Sequence, residues 1–207
     1  MGLQERRARE RAERKAQILD AARSLLMAEG LQGTSINKIA ERAELGVGTL
    51  YFYFESKEEI FAALQEEGLE CLYVDVKTAM EKEKRPADQL AAIARTYVEF
   101  SKNTTSYFDI INYFLSSPGS FLTPHLKEQV DEYGTRIIDL ISQTVQAGID
   151  RKVFKAVNPR RFAITLWGAL HGIIQFRKLK MTVLSGERHE ELLQFTIDYL
   201  IHSLEMK

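Results

Sequence analysis

The run Gly48-Thr49-Leu50-Tyr51-Phe52-Tyr53-Phe54 sets hydroxyls, flat rings and a glycine with no side chain within seven positions. That mixture suits non-covalent recognition of a nucleic acid. Hydroxyls can bond base edges or phosphate, a ring can touch a thymine methyl or a sugar, and glycine lets the backbone approach closely. Hydroxyls also flank the run: Thr34-Ser35 precede it, and Ser56-Lys57 follow it with a cation. Covalent chemistry has no comparable constellation. There is no Gly-rich phosphate loop and no nucleophile elbow. The four histidines (125, 171, 189 and 202) lack ligand spacing, and Cys71 is the only cysteine. No catalytic residue, metal site, cofactor or enzyme activity is expected, and a reduced, cytoplasmic setting fits the lone thiol.

The elements that must position these residues are helical. Apolar residues recur at helical spacing and strand alternation is absent. Ile18, Ala22, Leu25 and Leu26 share a face, with Gly30 as the stop. Ile36, Ile39, Ala40 and Ala43 repeat the pattern in a shorter helix, Glu44-Leu45-Gly46 form a tight turn, and Val47 to Phe54 form a second short helix. Two short helices joined by such a turn make a helix-turn-helix, whose second helix enters a DNA major groove. On that helix Leu50 and Phe54 share one face, while Gly48, Thr49, Tyr51 and Phe52 lie around the rest. An ordinary helical hairpin with an exposed aromatic is the other reading these residues allow. Ser56 with Glu59 is a capping box, so a long helix starts there, along which Ile60, Leu64, Cys71, Leu72, Val76 and Met80 are spaced.

Prolines punctuate the rest. Pro86 opens a helix to about Lys102, Tyr107 to Leu115 form an aromatic helix, and Pro118-Gly119 break the chain. Thr123-Pro124 and Asn158-Pro159 each read as an N-cap followed by proline. Ser185-Gly186 separate the last two helices. The expectation is an all-α fold of about nine helices, with a helix-turn-helix domain over 1–56 and a second domain over 57–207.

Thr34 to Ala43, Gly48 to Phe54 and Ser56 to Phe61 closely resemble, in order and spacing, the amino-terminal domain of the TetR (tetracycline-repressor-like) family of transcriptional regulators. The resemblance is strong over about Lys15 to Leu64 and weak beyond. It implies a dimeric repressor that binds double-stranded DNA at a pseudo-palindromic operator and is released by a small, largely apolar effector. It further implies that Thr34 and Ser35 stand near phosphates, that Val47, Gly48, Thr49, Tyr51 and Phe52 read bases and backbone, and that Tyr53 and Lys57 touch phosphate. Glu44 replaces the family's frequent turn glycine, and Gly46 replaces its frequent serine-type cap. A DNA-binding structural protein without an effector is the alternative, and an all-helical enzyme a remoter one.

The chain has 207 residues, 45% hydrophobic and 28% charged, with a formal charge of −1. It can bury a core, and a globally basic coat is excluded. Locally, Arg6, Arg7, Arg9, Arg11, Arg14 and Lys15 precede the first helical core. They read either as an arm adding DNA contacts or as a solvated helix extension balanced by Glu5, Glu10 and Glu13. No apolar run reaches the ~20 residues of a membrane span.

In the second half, Tyr97, Phe100, Phe108, Ile111, Phe114, Tyr133, Ile137, Trp167 and His171 are candidate effector contacts, with core packing as the plainer reading of each. Small residues at Gly168, Ala169 and Gly172, and the apolar Leu192, Leu193, Phe195, Tyr199 and Leu200, read as a two-helix homodimer interface. Packing of both helices within one chain is the other reading.

Overall fold

Helical spacing in the sequence is matched by helices throughout the structure. This computed structural model describes residues 2–116, 122–179, 182 and 184–206. Among them are nine α-helices: α1 Leu3–Gly33, α2 Ile36–Arg42, α3 Val47–Tyr53, α4 Lys57–Glu81, α5 Pro86–Asn103, α6 Thr105–Ser116, α7 Pro124–Asp150, α8 Pro159–Gln175 and α9 His189–Leu204. A 3₁₀ turn, Phe176–Leu179, follows α8. The β pairing described is one isolated antiparallel bridge between Phe154 and Glu205. The Pro118-Gly119 break lies outside the described residues.

The local signals act where the chemistry places them. Gly30 has φ 68° and kinks α1 near its end rather than stopping it outright. Ser35 caps α2 by accepting from the Lys38 N–H, and Asn158 caps α8 by accepting from the Arg161 N–H. The Glu59 N–H donates to Ser56 Oγ at 3.1 Å, while the Glu59 carboxylate accepts from the Glu55 N–H at 2.6 Å. The capping box therefore closes one residue earlier than its usual form. Cys71 is exposed and does not belong to the apolar face of α4.

Two compact units divide the chain. The first comprises Met1–Gly68 and Ser106–Asp131, the second Leu69–Thr105 and Glu132–Lys207. The division differs from a cut at residue 56: it falls inside α4, and α6 joins the first unit. Burial explains this. Ile110 of α6 belongs to the same core as Ile18 of α1, Ile39 of α2, Leu50 of α3 and Phe61 of α4. Tyr107 packs so closely on α4 that a Cβ at Gly68 would lie 3.1 Å from it. In the second unit, α8 packs on α5 and α9. The Phe154 ring presses on Gly148, where a Cβ would lie 2.0 Å away.

Leu50 is the α3 residue that this first core buries, with no exposed surface. Leu50→Ala leaves a cavity among side chains that cannot all close on it. Urea denaturation is expected to show a loss of about 2–5 kcal/mol.

Candidate nucleic-acid interface

The helix-turn-helix is built from α2, the turn and α3. After α2 the backbone makes a Schellman turn: the Leu45 N–H donates to the Ala40 carbonyl and the Glu44 N–H to the Glu41 carbonyl. Glu44 holds φ 55°, the left-handed region that glycine occupies without cost. Gly46 caps α3 with no side-chain hydrogen bond, as its sequence implies. Gln17 of α1 fixes the turn by donating from Nε2 to the Ala43 carbonyl at 2.7 Å. No periodicity in the sequence marks this role.

With Leu50 inward, the rest of α3 faces out. Val47, Gly48, Thr49, Tyr51 and Phe52 are all exposed, Phe52 by 71% and Tyr51 by 52%. Tyr53 is half-buried and meets Phe52 edge-on, centroids 5.2 Å apart. Ser35 is exposed at the start of α2. Six of the expected residues thus lie on α3, and Ser35 stands at the start of α2.

Thr34 is a correction. It is 1% exposed, and its hydroxyl donates to the Gly30 carbonyl at 2.8 Å. The hydroxyl satisfies the kink at the end of α1 and presents nothing to a phosphate. Lys57 is half-buried: its ammonium donates to the Thr34 carbonyl at 3.3 Å and lies 5.8 Å from the Phe61 ring centre. It ties the start of α4 to the start of α2.

The expected effector contacts fall in both units. Tyr97, Ile137 and Trp167 line a cavity in the second unit with Val76, Ile93 and Leu166, among others. Its volume is about 10 Å³, room for no more than one water. The Tyr97 hydroxyl lies 2.8 Å from His171 Nδ1, and the His171 ring stacks on Trp167 at 5.1 Å. Burial pushes the Tyr97 hydroxyl above its usual range, against a hydrogen bond from Trp167. Burial lowers the His171 pKa, so the ring is neutral at pH 7. Phe100 is buried in the same unit, and Tyr133 faces the Arg136 guanidinium at 5.6 Å. Phe108 and Ile111 are buried in the first unit, not the second. The side chain of Phe114 lies outside the described residues.

Two family models match this chain. "Bacterial regulatory proteins, tetR family" covers residues 18–64, and "Tetracyclin repressor-like, C-terminal domain" covers 90–200. The second alone spans more than half of the chain. The chain belongs to the TetR family. It is a DNA-binding transcriptional regulator of the helix-turn-helix type, in a family of regulatory proteins rather than enzymes. A relative, the uncharacterized HTH-type transcriptional regulator YfiR of Bacillus subtilis, is 26% identical over 153 residues, 70% of each chain. Two solved structures share the fold. AibR in complex with isovaleryl coenzyme A and operator DNA has a TM-score of 0.71 at 19% identity, covering 91% of this chain and 98% of that one. FadR from Bacillus subtilis in complex with stearoyl-CoA has a TM-score of 0.72 at 16% identity, covering 92% and 99%. Among the described residues no helix is long and apolar enough to cross a membrane, and no group of three His, Cys, Asp or Glu could hold a metal.

His171 carries a pH dependence of known sign. A base whose folded pKa is depressed stabilises the fold only while neutral. Its contribution is complete above the unfolded value of about 6.5 and is lost as pH falls through the folded value. Melting curves between about pH 7 and pH 5 are expected to fall more steeply for the wild type than for His171→Gln.

Proposed function

We propose that this chain is a homodimeric repressor that reads a pseudo-palindromic operator with the outer face of α3 and leaves it when an acyl-CoA binds. The observation that supports this most is the division of α3: Leu50 is buried while Gly48, Thr49, Tyr51 and Phe52 are bare. Rings that large on a short surface helix are unfavourable in water without a partner. Gly48, where a Cβ would meet nothing within 4 Å, leaves room for a sugar–phosphate strand. Thr49 and Tyr51 supply the hydroxyls for base edges, Val47 and Phe52 the apolar contact, and Ser35, Tyr53 and Lys57 the approach to phosphate.

The acyl-CoA complexes of AibR and FadR support this effector class. An acyl chain needs an apolar lining, and the cavity around Val76, Ile137 and Trp167 has one, with Tyr97 as a polar group. A ligand moves the equilibrium only by its differential affinity for the two states. α4 and α7 each have residues in both units, which makes these two helices covalent routes for the signal.

Dimerisation has its own support. Ile164, Gly168 and Gly172 recur every fourth residue along α8, and a Cβ at either glycine would meet nothing within 4 Å. On α9, Phe195 and Tyr199 stack at 5.7 Å with about two-thirds of each exposed. Leu193 and Ile197 of α9 are buried within the chain, so α9 packs at home with one face and offers the other. A two-fold dimer would pair these faces and present two copies of α3.

Selection of duplexes from a random pool is expected to yield a pseudo-palindrome. Tyr51→Ala should cost about 1–3 kcal/mol of affinity for it and broaden the preference at one position per half-site. Unchanged affinity and preference would remove α3 as the reader. Isovaleryl-CoA or stearoyl-CoA should weaken binding of the selected duplex where free CoA does not. Sedimentation should give twice the chain mass for the wild type and a lower mass for Gly168→Arg, which places a charge in the paired face.

A further inference from the structure

The amino-terminal third of α1 separates its charges by face. Counting about 100° per residue, Arg7, Arg11, Arg14 and Lys15 fall within roughly 100° of arc, Glu5 and Glu13 fall on the far side, and Glu10 lies on the flank, about 40° from Arg14. The remaining two cations are paired on that far side: Arg6 with Glu10 at 2.9 Å and Arg9 with Glu13 at 3.8 Å. Among the described residues no carboxylate pairs with Arg7, Arg11, Arg14 or Lys15. This cationic row is the continuation of the apolar stripe Ile18, Ala22 and Leu25, which packs on α2 and α3. It therefore runs on past the edge of the core on the side where α3 lies. Two contacts fix that register. The Arg11 guanidinium stands 5.9 Å from the centre of the exposed Phe52 ring, and the Lys15 ammonium 5.0 Å from that of Phe54.

We infer that the row Arg7–Arg11–Lys15, with Arg14 beside it, is a second DNA-binding element that grips backbone phosphates flanking the bases read by α3. This inference rests on the reading of α3 given above. The chemistry is charge complementarity. A chain of net charge −1 gathers four cations on one stripe beside the exposed aromatics of its reading helix, with Glu5 and Glu13 on the opposite side of the helix. A duplex in contact with Phe52 passes Arg11 first and Arg7 one helical turn farther out. Such contacts release counterions and set affinity and register without naming a base. Arg11 has the further task of holding its planar group over Phe52, a cation–π contact that orders the ring.

The test compares two full-length variants that lose the same charge from the same helix. Arg7→Gln with Arg11→Gln removes two of the row's four cations, and Arg6→Gln with Arg9→Gln removes the two cations of the paired face. All four positions are exposed, so both variants retain the core. The probes are a long duplex that the wild type selects from a random pool and the same duplex trimmed to the selected motif. On the long duplex the row variant should bind at least about tenfold more weakly, with a log–log salt slope shallower by roughly 0.9 per lost contact. The base preference should not change, the paired-face variant should behave as wild type, and the trimmed duplex should bind wild type and row variant alike. Equal behaviour of the two variants on the long duplex overturns the inference while leaving α3 as the reader. Equal loss on the long and trimmed duplexes also overturns it, because the row would then act within the motif. If the wild type selects no sequence and Tyr51→Ala has no effect, the reading of α3 fails and this inference fails with it.

Discussion

The burial of Leu50 is the contact on which the recognition surface depends. α3 has seven residues, well below the roughly 12–15 at which an isolated helix becomes even marginal in water. Its cap, Gly46, contributes no side-chain hydrogen bond. Neither propensity nor capping therefore holds α3; the core does. Leu50 anchors it among Ile18, Ile39 and Phe61, and Phe54 follows as the chain leaves the helix. A helix held by one buried row has one possible rotation, so what is hidden decides what is shown.

The same economy governs α1. One stripe of this helix is apolar where it meets α2 and α3 and cationic where it runs past them, and Lys15 marks the change. The Arg6–Glu10 and Arg9–Glu13 pairs on its other faces are exposed, and pairs of that kind contribute about 0–1 kcal/mol each. They balance charge more than they hold structure. The left-handed Glu44 is a comparable local concession: the Schellman turn and the Gln17 bond to Ala43 fix the turn around a residue that does not favour it.

Much of this was legible in the residues. The spacing of Ile36, Ile39 and Ala40, the Ser35 and Asn158 caps, the strain at Glu44 and the split faces of α3 are short-range matters that sequence records directly. What sequence concealed depends on distance in space. Thr34 looks like a surface hydroxyl until the Gly30 kink brings a carbonyl to its side chain, a local bond that competes with any outside partner. Phe108, Ile111 and Tyr97 look like one apolar group because they lie close along the chain, yet the first two are packed in one unit and the third in the other. Arg11 gives no sign in the sequence that it meets Phe52, forty-one positions away.

The size of the cavity beside Tyr97 has a kinetic meaning. A space of about 10 Å³ cannot admit a hydrocarbon chain, so a molecule that binds between Val76, Ile137 and Trp167 must meet a form of the protein in which these side chains have already parted, or must part them itself. In the first case only the open fraction is competent, and the apparent dissociation constant is the intrinsic one divided by that fraction. Capture is then paced by how often the packed residues open and not by how often ligand arrives. The time resolution of such a sensor is set by the breathing of its own core.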